Sequence, residues 1–167
     1  AVKNLKSKGA ENIILDLRGN PGGLLQEAVK ISNVFVPIGK EVVSTKGKFQ
    51  SKNETYYTLN EPVDTNIPLV VLTGSSSASA SEIVAGVVQD YDRGVLIGRK
   101  TFGKGLVQIS RQLSYNSQLK VTTAKYYIPS GRCIQAIDYS NRNPDGSVGK
   151  IPDSLKVAFK TNGGRVV

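Results

Sequence analysis

One pattern constrains this chain more than any other: an apolar run of strand length, closed by a loop of glycines or other small residues, occurs three times. Asn12-Ile13-Ile14-Leu15-Asp16-Leu17 leads into Arg18-Gly19-Asn20-Pro21-Gly22-Gly23. Pro68–Thr73 leads into Gly74–Ala78, and Gly94–Gly98 leads toward Gly103-Lys104-Gly105. Short apolar runs bounded by turn chemistry read as buried strands. Two of the loops open onto helical spacing. Leu24–Val36 carries Leu25, Ala28, Val29, Ile31, Val34 and Phe35 on an apolar face, and Ser79–Tyr91 carries Ile83, Val84, Val87 and Val88. Strands alternating with helices predict an α/β domain. In such folds the loops beyond the carboxyl ends of strands carry function, and Gly19–Gly23 and Gly74–Ser79 are both so placed.

The remaining segments fit around that frame. Ala1–Lys8 predicts a short helix stopped at Gly9. Val42–Thr45 and Glu54–Leu59 predict an exposed hairpin, and Leu106–Leu113 and Leu119–Ile128 two further strands. Asp138–Ile151 is polar and turn-rich and reads as a surface excursion. Phe159–Val167 reads as a hairpin turning at Asn162-Gly163-Gly164. At 167 residues the chain suits one domain. No apolar run is long enough to span a bilayer.

Two features of composition narrow the chemistry. The chain has no His, which excludes a Ser–His–Asp or Cys–His site and His-based metal sites within it. Its one Cys, Cys133, can form neither an intrachain disulfide nor a thiolate cluster. A base working near neutral pH must therefore be a shifted Lys, Asp, Glu or Tyr. The net charge of +9 arises from scattered residues such as Lys3, Lys6, Lys8, Lys40 and Arg99. It reads as solubility, and no nucleic-acid partner is expected.

Three segments are candidates for a site. In Ser77-Ala78-Ser79-Ala80-Ser81-Glu82 a serine meets the start of a helix, where unpaired N–H groups and the positive dipole end can hold an oxyanion. The same residues also spell a capping box, Ser79 with Glu82 three residues on. Thr101-Phe102-Gly103-Lys104-Gly105 is either a lysine in a surface turn or a lysine packed so that its amine loses water and serves as a base. The stretch from Gly98 to Lys104 satisfies G-x-x-x-x-G-K. Gly105 stands where a phosphate loop needs Ser or Thr, and a strand follows where a helix is needed, so that reading fails. Arg18–Gly23 is either an anion-binding nest or a tight turn.

Taken together, the succession DLRGNPGG, SASASE, TFGKGLVQ, with Ile128-Pro129-Ser130-Gly131-Arg132-Cys133-Ile134-Gln135 further on, resembles the C-terminal processing peptidases, or tail-specific proteases. The resemblance implies a crotonase-like (ClpP-like) α/β spiral of strand–strand–helix units. It implies a serine endopeptidase acting on polypeptides near their C-termini, through a Ser–Lys dyad and an acyl-enzyme. Ser79 falls on the nucleophile and Lys104 on its base, which has to be desolvated because a free Lys titrates near about 10.4. Gln108 falls on the residue that orients the amine. Gly22, with Gly23 as the alternative, and Ala80 supply the oxyanion N–H groups, while Asp16 and Arg18 brace the turn. Neither metal nor cofactor is implied. Residues 1–167 would form an incomplete catalytic core without the PDZ domain and flanking segments common in the family, working in the periplasm or cell envelope. The substrate would bind as an added strand, and open sheet edges would invite self-association. The competing expectation is an inert fragment, or a ligand- or peptide-binding module of the same fold.

Overall fold

The computed structural model describes residues 1–150, 154 and 156–167. In chain order the elements are α1 (Val2–Ser7), β1 (Ile13–Asp16), α2 (Leu25–Phe35), β2 (Glu41–Gly47), β3 (Glu54–Tyr57), β4 (Leu69–Thr73), α3 (Ala80–Asp90), β5 (Val95–Gly98), β6 (Leu106–Gln112), β7 (Gln118–Tyr127), β8 (Ile137–Arg142) and β9 (Val148–Lys150). The architecture is mixed α/β, and the helices and strands expected before residue 130 fall within about two residues of their predicted ends.

The three glycine-bounded apolar runs form one parallel sheet in the order β1-β4-β5. Parallel neighbours need crossover connections, and α3 makes the crossover from β4 to β5. A second, antiparallel sheet runs β3-β2-β7-β6. Helix α3 lies between them, against β4 and β5 on one side and β2 and α2 on the other. All its residues except Gln89 are buried. Ile83, Val84, Val87 and Val88 fill the core with Ile13, Leu69 and Val71 of the parallel sheet and Val42 and Val43 of β2. Gly86 lets β7's end close on this helix. A Cβ there would lie 2.8 Å from Cδ1 of Ile128, a side chain only 1% exposed.

One expectation is corrected and another is extended. The strands β1 and β5 are buried on one face only: Ile14, Val95 and Ile97 are 68%, 59% and 53% exposed. The helices cover the face carrying Ile13, Leu69 and Val71, and no described element covers the other. The Asp138–Ile151 excursion is an antiparallel pair, β8 with β9, up to Lys150; Ile151 lies outside the described residues. Its turn closes where Gly146 takes φ +80° and donates its N–H to the Asn143 carbonyl. The C-terminal hairpin forms as expected. Phe159 and Val167 exchange both backbone bonds, and Gly164 takes φ +84°.

Candidate active site

The three loops meet beyond the carboxyl ends of the parallel strands. Ser77, fully buried, joins them: its hydroxyl donates to the Leu17 carbonyl at 2.6 Å and accepts the Gly74 N–H at 3.0 Å. Its own carbonyl accepts the Phe102 N–H at 3.0 Å, and the Ala78 N–H donates to the Asn20 carbonyl at 3.1 Å. The first serine of the run is therefore a connector, and the next is free for other work.

Ser79 sits at φ 56°, ψ −117°, just before the first turn of α3. A non-glycine residue there stores roughly 1–3 kcal/mol of strain, which persists only where the surroundings impose it. Gly22, at φ +92°, is part of that imposition. A Cβ on Gly22 would lie 2.5 Å from the Ala78 carbonyl oxygen, 2.8 Å from the Ala80 nitrogen and 3.0 Å from the Ser79 Cβ. Only a glycine lets this turn press against the head of the helix.

Glu82 holds the arrangement from below. Its buried carboxylate accepts the Ser79 N–H at 2.8 Å, the Gly103 N–H at 2.6 Å and the Lys104 N–H at 2.8 Å. The Ser79 side chain faces the Glu82 N–H in a capping-box arrangement. That N–H is bonded at 2.9 Å to the Ser79 carbonyl, so the hydroxyl forms no cap hydrogen bond of its own. The spacing of Ser79 and Glu82 announces the capping box, but nothing in it announces the bridge to Gly103 and Lys104. A buried acid on a helix otherwise apolar at Ile83, Val84 and Val87 was the available signal, since buried acids are rare without partners.

Of the two backbone donors expected first, Ala80 is uncommitted and Gly22 is not. The Ala80 N–H, in the first helical turn, has no acceptor among the described residues. Of the two glycines considered, Gly22 donates its N–H to Asn20 Oδ1 at 2.9 Å, leaving Gly23 with the uncommitted N–H. Asp16 and Arg18 brace the turn. Arg18 Nη2 donates to Asp16 Oδ2 at 2.7 Å, and the Arg18 backbone N–H donates to Oδ1 at 2.9 Å. The Arg18 side-chain bonds, then its backbone bond, hold the Asp16 carboxyl down at about 2.

The lysine departs from expectation. The backbone on both sides of Lys104 is pinned: Gly105 donates to Gln135 Oε1 at 2.8 Å, and the Gly103 carbonyl accepts the Ala136 N–H at 3.1 Å. The Lys104 side chain itself is exposed and has no hydrogen bond or ion pair to a described residue. Glycines 103 and 105 pack against Ile134–Ala136 and fix the backbone, but these residues do not dry the amine. Gln108 is also exposed, and its Nε2 donates to Thr122 Oγ1 at 3.2 Å rather than meeting Lys104.

A kinked serine at a helix head, beside the free Ala80 N–H and tethered through Glu82 to a lysine loop, is an arrangement suited to acyl transfer. The profile of peptidase family S41 matches residues 1–145, and the chain belongs to that family. It is 43% identical over 141 residues to the carboxy-terminal-processing protease of Bartonella bacilliformis, covering 82% of this chain and 32% of the relative. It is 45% identical over 139 residues to the probable CtpA-like serine protease of Staphylococcus aureus strain N315, covering 80% and 27%. Among solved structures, the photosystem II D1 C-terminal processing protease superposes with a TM-score of 0.74 at 36% identity, covering 81% of this chain and 34% of that one. The chain thus spans between 27% and 34% of the length of these relatives.

Proposed function

We propose that this chain carries the nucleophile and base of a serine endopeptidase that cleaves polypeptides recognised near their C-termini, with Ser79 and Lys104 as the dyad. The single observation that carries the reading is Ser79 itself, held in a strained conformation at the head of a buried helix beside the uncommitted Ala80 N–H. Family membership and the names of the relatives point the same way.

In the proposed reaction Lys104 takes the hydroxyl proton as Ser79 Oγ bonds to the scissile carbonyl carbon. The oxyanion rests on the N–H groups of Ala80 and Gly23. As the C–N bond breaks, the Lys104 ammonium returns a proton to the departing amine and an ester remains on Ser79. Water then attacks the ester, Lys104 takes its proton, and the serine hydroxyl is restored. A peptide lying across the site supplies the dryness that Lys104 lacks here, with Gln108 turning from Thr122 toward the amine. The proposal extends to the crotonase-like spiral, to placement in the periplasm or cell envelope, and to pairing of a second copy at the open edges β1 and β5.

The test is cleavage of an unstructured protein. Ser79→Ala and Lys104→Ala should each reduce turnover by a factor on the order of a hundred or more while leaving the circular dichroism spectrum unchanged. Retained turnover in either variant rejects the dyad.

A further inference from the structure

The proposed chemistry makes no use of the loop that joins β2 to β3, which extends past the strand ends in register with the start of β6. Strands β2 and β3 are joined there by Lys48–Asn53, closed by the Gly47 N–H on Asn53 Oδ1 at 2.9 Å and a short helical turn over Gln50–Lys52. Phe49 stands on this tip, 67% exposed. Lysines surround it. Lys48 precedes it, and the Lys52 amine lies 5.9 Å from its ring centroid. Lys46 is directly opposite Lys125 in the β2–β7 register, with its amine 4.9 Å over the Tyr127 ring. Like charges set opposite one another on neighbouring strands are destabilising. None of these four lysines forms an ion pair with a described carboxylate. The nearest acid in the hairpin, Glu54, pairs with Thr45 in the register and so points to the other face, where the Tyr56 hydroxyl donates to it.

We infer that this hairpin tip docks on an anionic lipid bilayer, with Phe49 entering the interface and Lys46, Lys48, Lys52 and Lys125 meeting lipid phosphates. Two observations select a bilayer over a soluble anion. An exposed phenyl group on the connecting loop, with the Lys52 amine 5.9 Å from its ring centroid and Lys48 next to it in sequence, offers an interface apolar surface and headgroup-directed charge together. An acidic peptide laid along Lys46 and Lys125 would leave Phe49 in water. A cluster of unpaired lysines gains from each contact with an anionic surface and loses that gain in salt.

The chain has no Trp, so Phe49→Trp places a sole reporter at the tip. The experiment follows its emission, and sedimentation of the chain, with vesicles of phosphatidylcholine alone or with phosphatidylglycerol added. Expected are a blue shift and co-sedimentation with the anionic vesicles only, both reversed by high salt. Replacing Lys48 and Lys52 by Gln should weaken partitioning by roughly thirtyfold. Phe49→Ala should weaken it about tenfold. Both sites lie outside the strands, and unchanged melting curves certify the fold. The inference is overturned if the anionic vesicles bind no better than neutral ones, or if they bind while the Trp emission stays unmoved. It is equally overturned if inorganic polyphosphate binds and vesicles do not.

Discussion

Two buried acids on α3 do opposite things at its two ends. Glu82, at the head, satisfies three backbone N–H groups belonging to the serine and lysine loops. Removing an acceptor from buried donors costs about 1–3 kcal/mol for each. One of the three donors, Gly103, is buried and two are part-buried, so Glu82→Ala should destabilise the chain by about 2–3 kcal/mol in urea unfolding, and Glu82→Gln, which keeps one acceptor oxygen, by less. Asp90, at the tail, is 2% exposed. Its Oδ2 accepts the Ser130 N–H at 2.9 Å, its Oδ1 has no hydrogen-bond partner, and Arg132 Nη2 stands 3.9 Å away. Burial pushes its pKa up, against the smaller lowering effects of Ser130 and Arg132. A carboxyl raised on folding binds its proton more tightly in the native state. Its contribution to stability is full below the ordinary carboxylate range and is lost as pH rises through the raised value. Asp90→Asn, which cannot ionise, should melt higher than the parent at neutral pH, with the gap closing toward about pH 4. Melting curves that run parallel across that range would show that burial does not govern Asp90.

At the scale of elements, α3 decides the architecture because both sheets lean on it. Its contact with the end of β7 passes through Gly86. An alanine gains about 1 kcal/mol of helix propensity, but its Cβ falls 2.8 Å from Ile128 Cδ1, and overpacking a filled core costs about 1–3 kcal/mol. The clash should win, so Gly86→Ala should lower stability by about 1 kcal/mol, and Ile128→Val, which removes that Cδ1, should restore part of it in a double-mutant cycle. The elements were largely legible because strand and helix periods alternate cleanly from Ile13 to Gln112. What escaped was what lies between elements. Apolar content in Ile14, Val95 and Ile97 marks a strand but does not say whether one face or both are covered. The β8–β9 pair is mostly polar apart from Ile137, Tyr139 and Val148, so the Gly146 turn signals its pairing more than any hydrophobic pattern does. At the site, Ser79, Ala80, Gly22 and Gly23 were legible from motif order, and their loops do converge. The choice between the two glycines was not, because it depends on the Asn20 side chain taking one N–H. The exposure of Lys104 was hidden for a similar reason. Glycines that pack the backbone closely look the same in sequence whether or not they also wall in the side chain.

On the scale of the whole molecule, the charge of +9 is scattered. Arg18, Lys6, Lys30 and Arg165 are paired with acids, whereas Lys46, Lys48 and Lys52 of the β2–β3 hairpin pair with no described carboxylate. The serine and glycine loops lie at the carboxyl ends of the parallel strands, and the basic loop lies on the other sheet. No helix among the described residues is long and apolar enough to cross a membrane.

The claim on which the chemistry depends is that Ser79 is made nucleophilic by Lys104, and direct acylation tests it without requiring a chosen substrate. Treatment with a fluorophosphonate, followed by intact-mass measurement and peptide mapping, should give one adduct, on Ser79. The labelling rate should fall by about a hundredfold or more in Lys104→Ala. An adduct on another residue, or a Ser79 adduct that forms as fast without Lys104, would contradict the account.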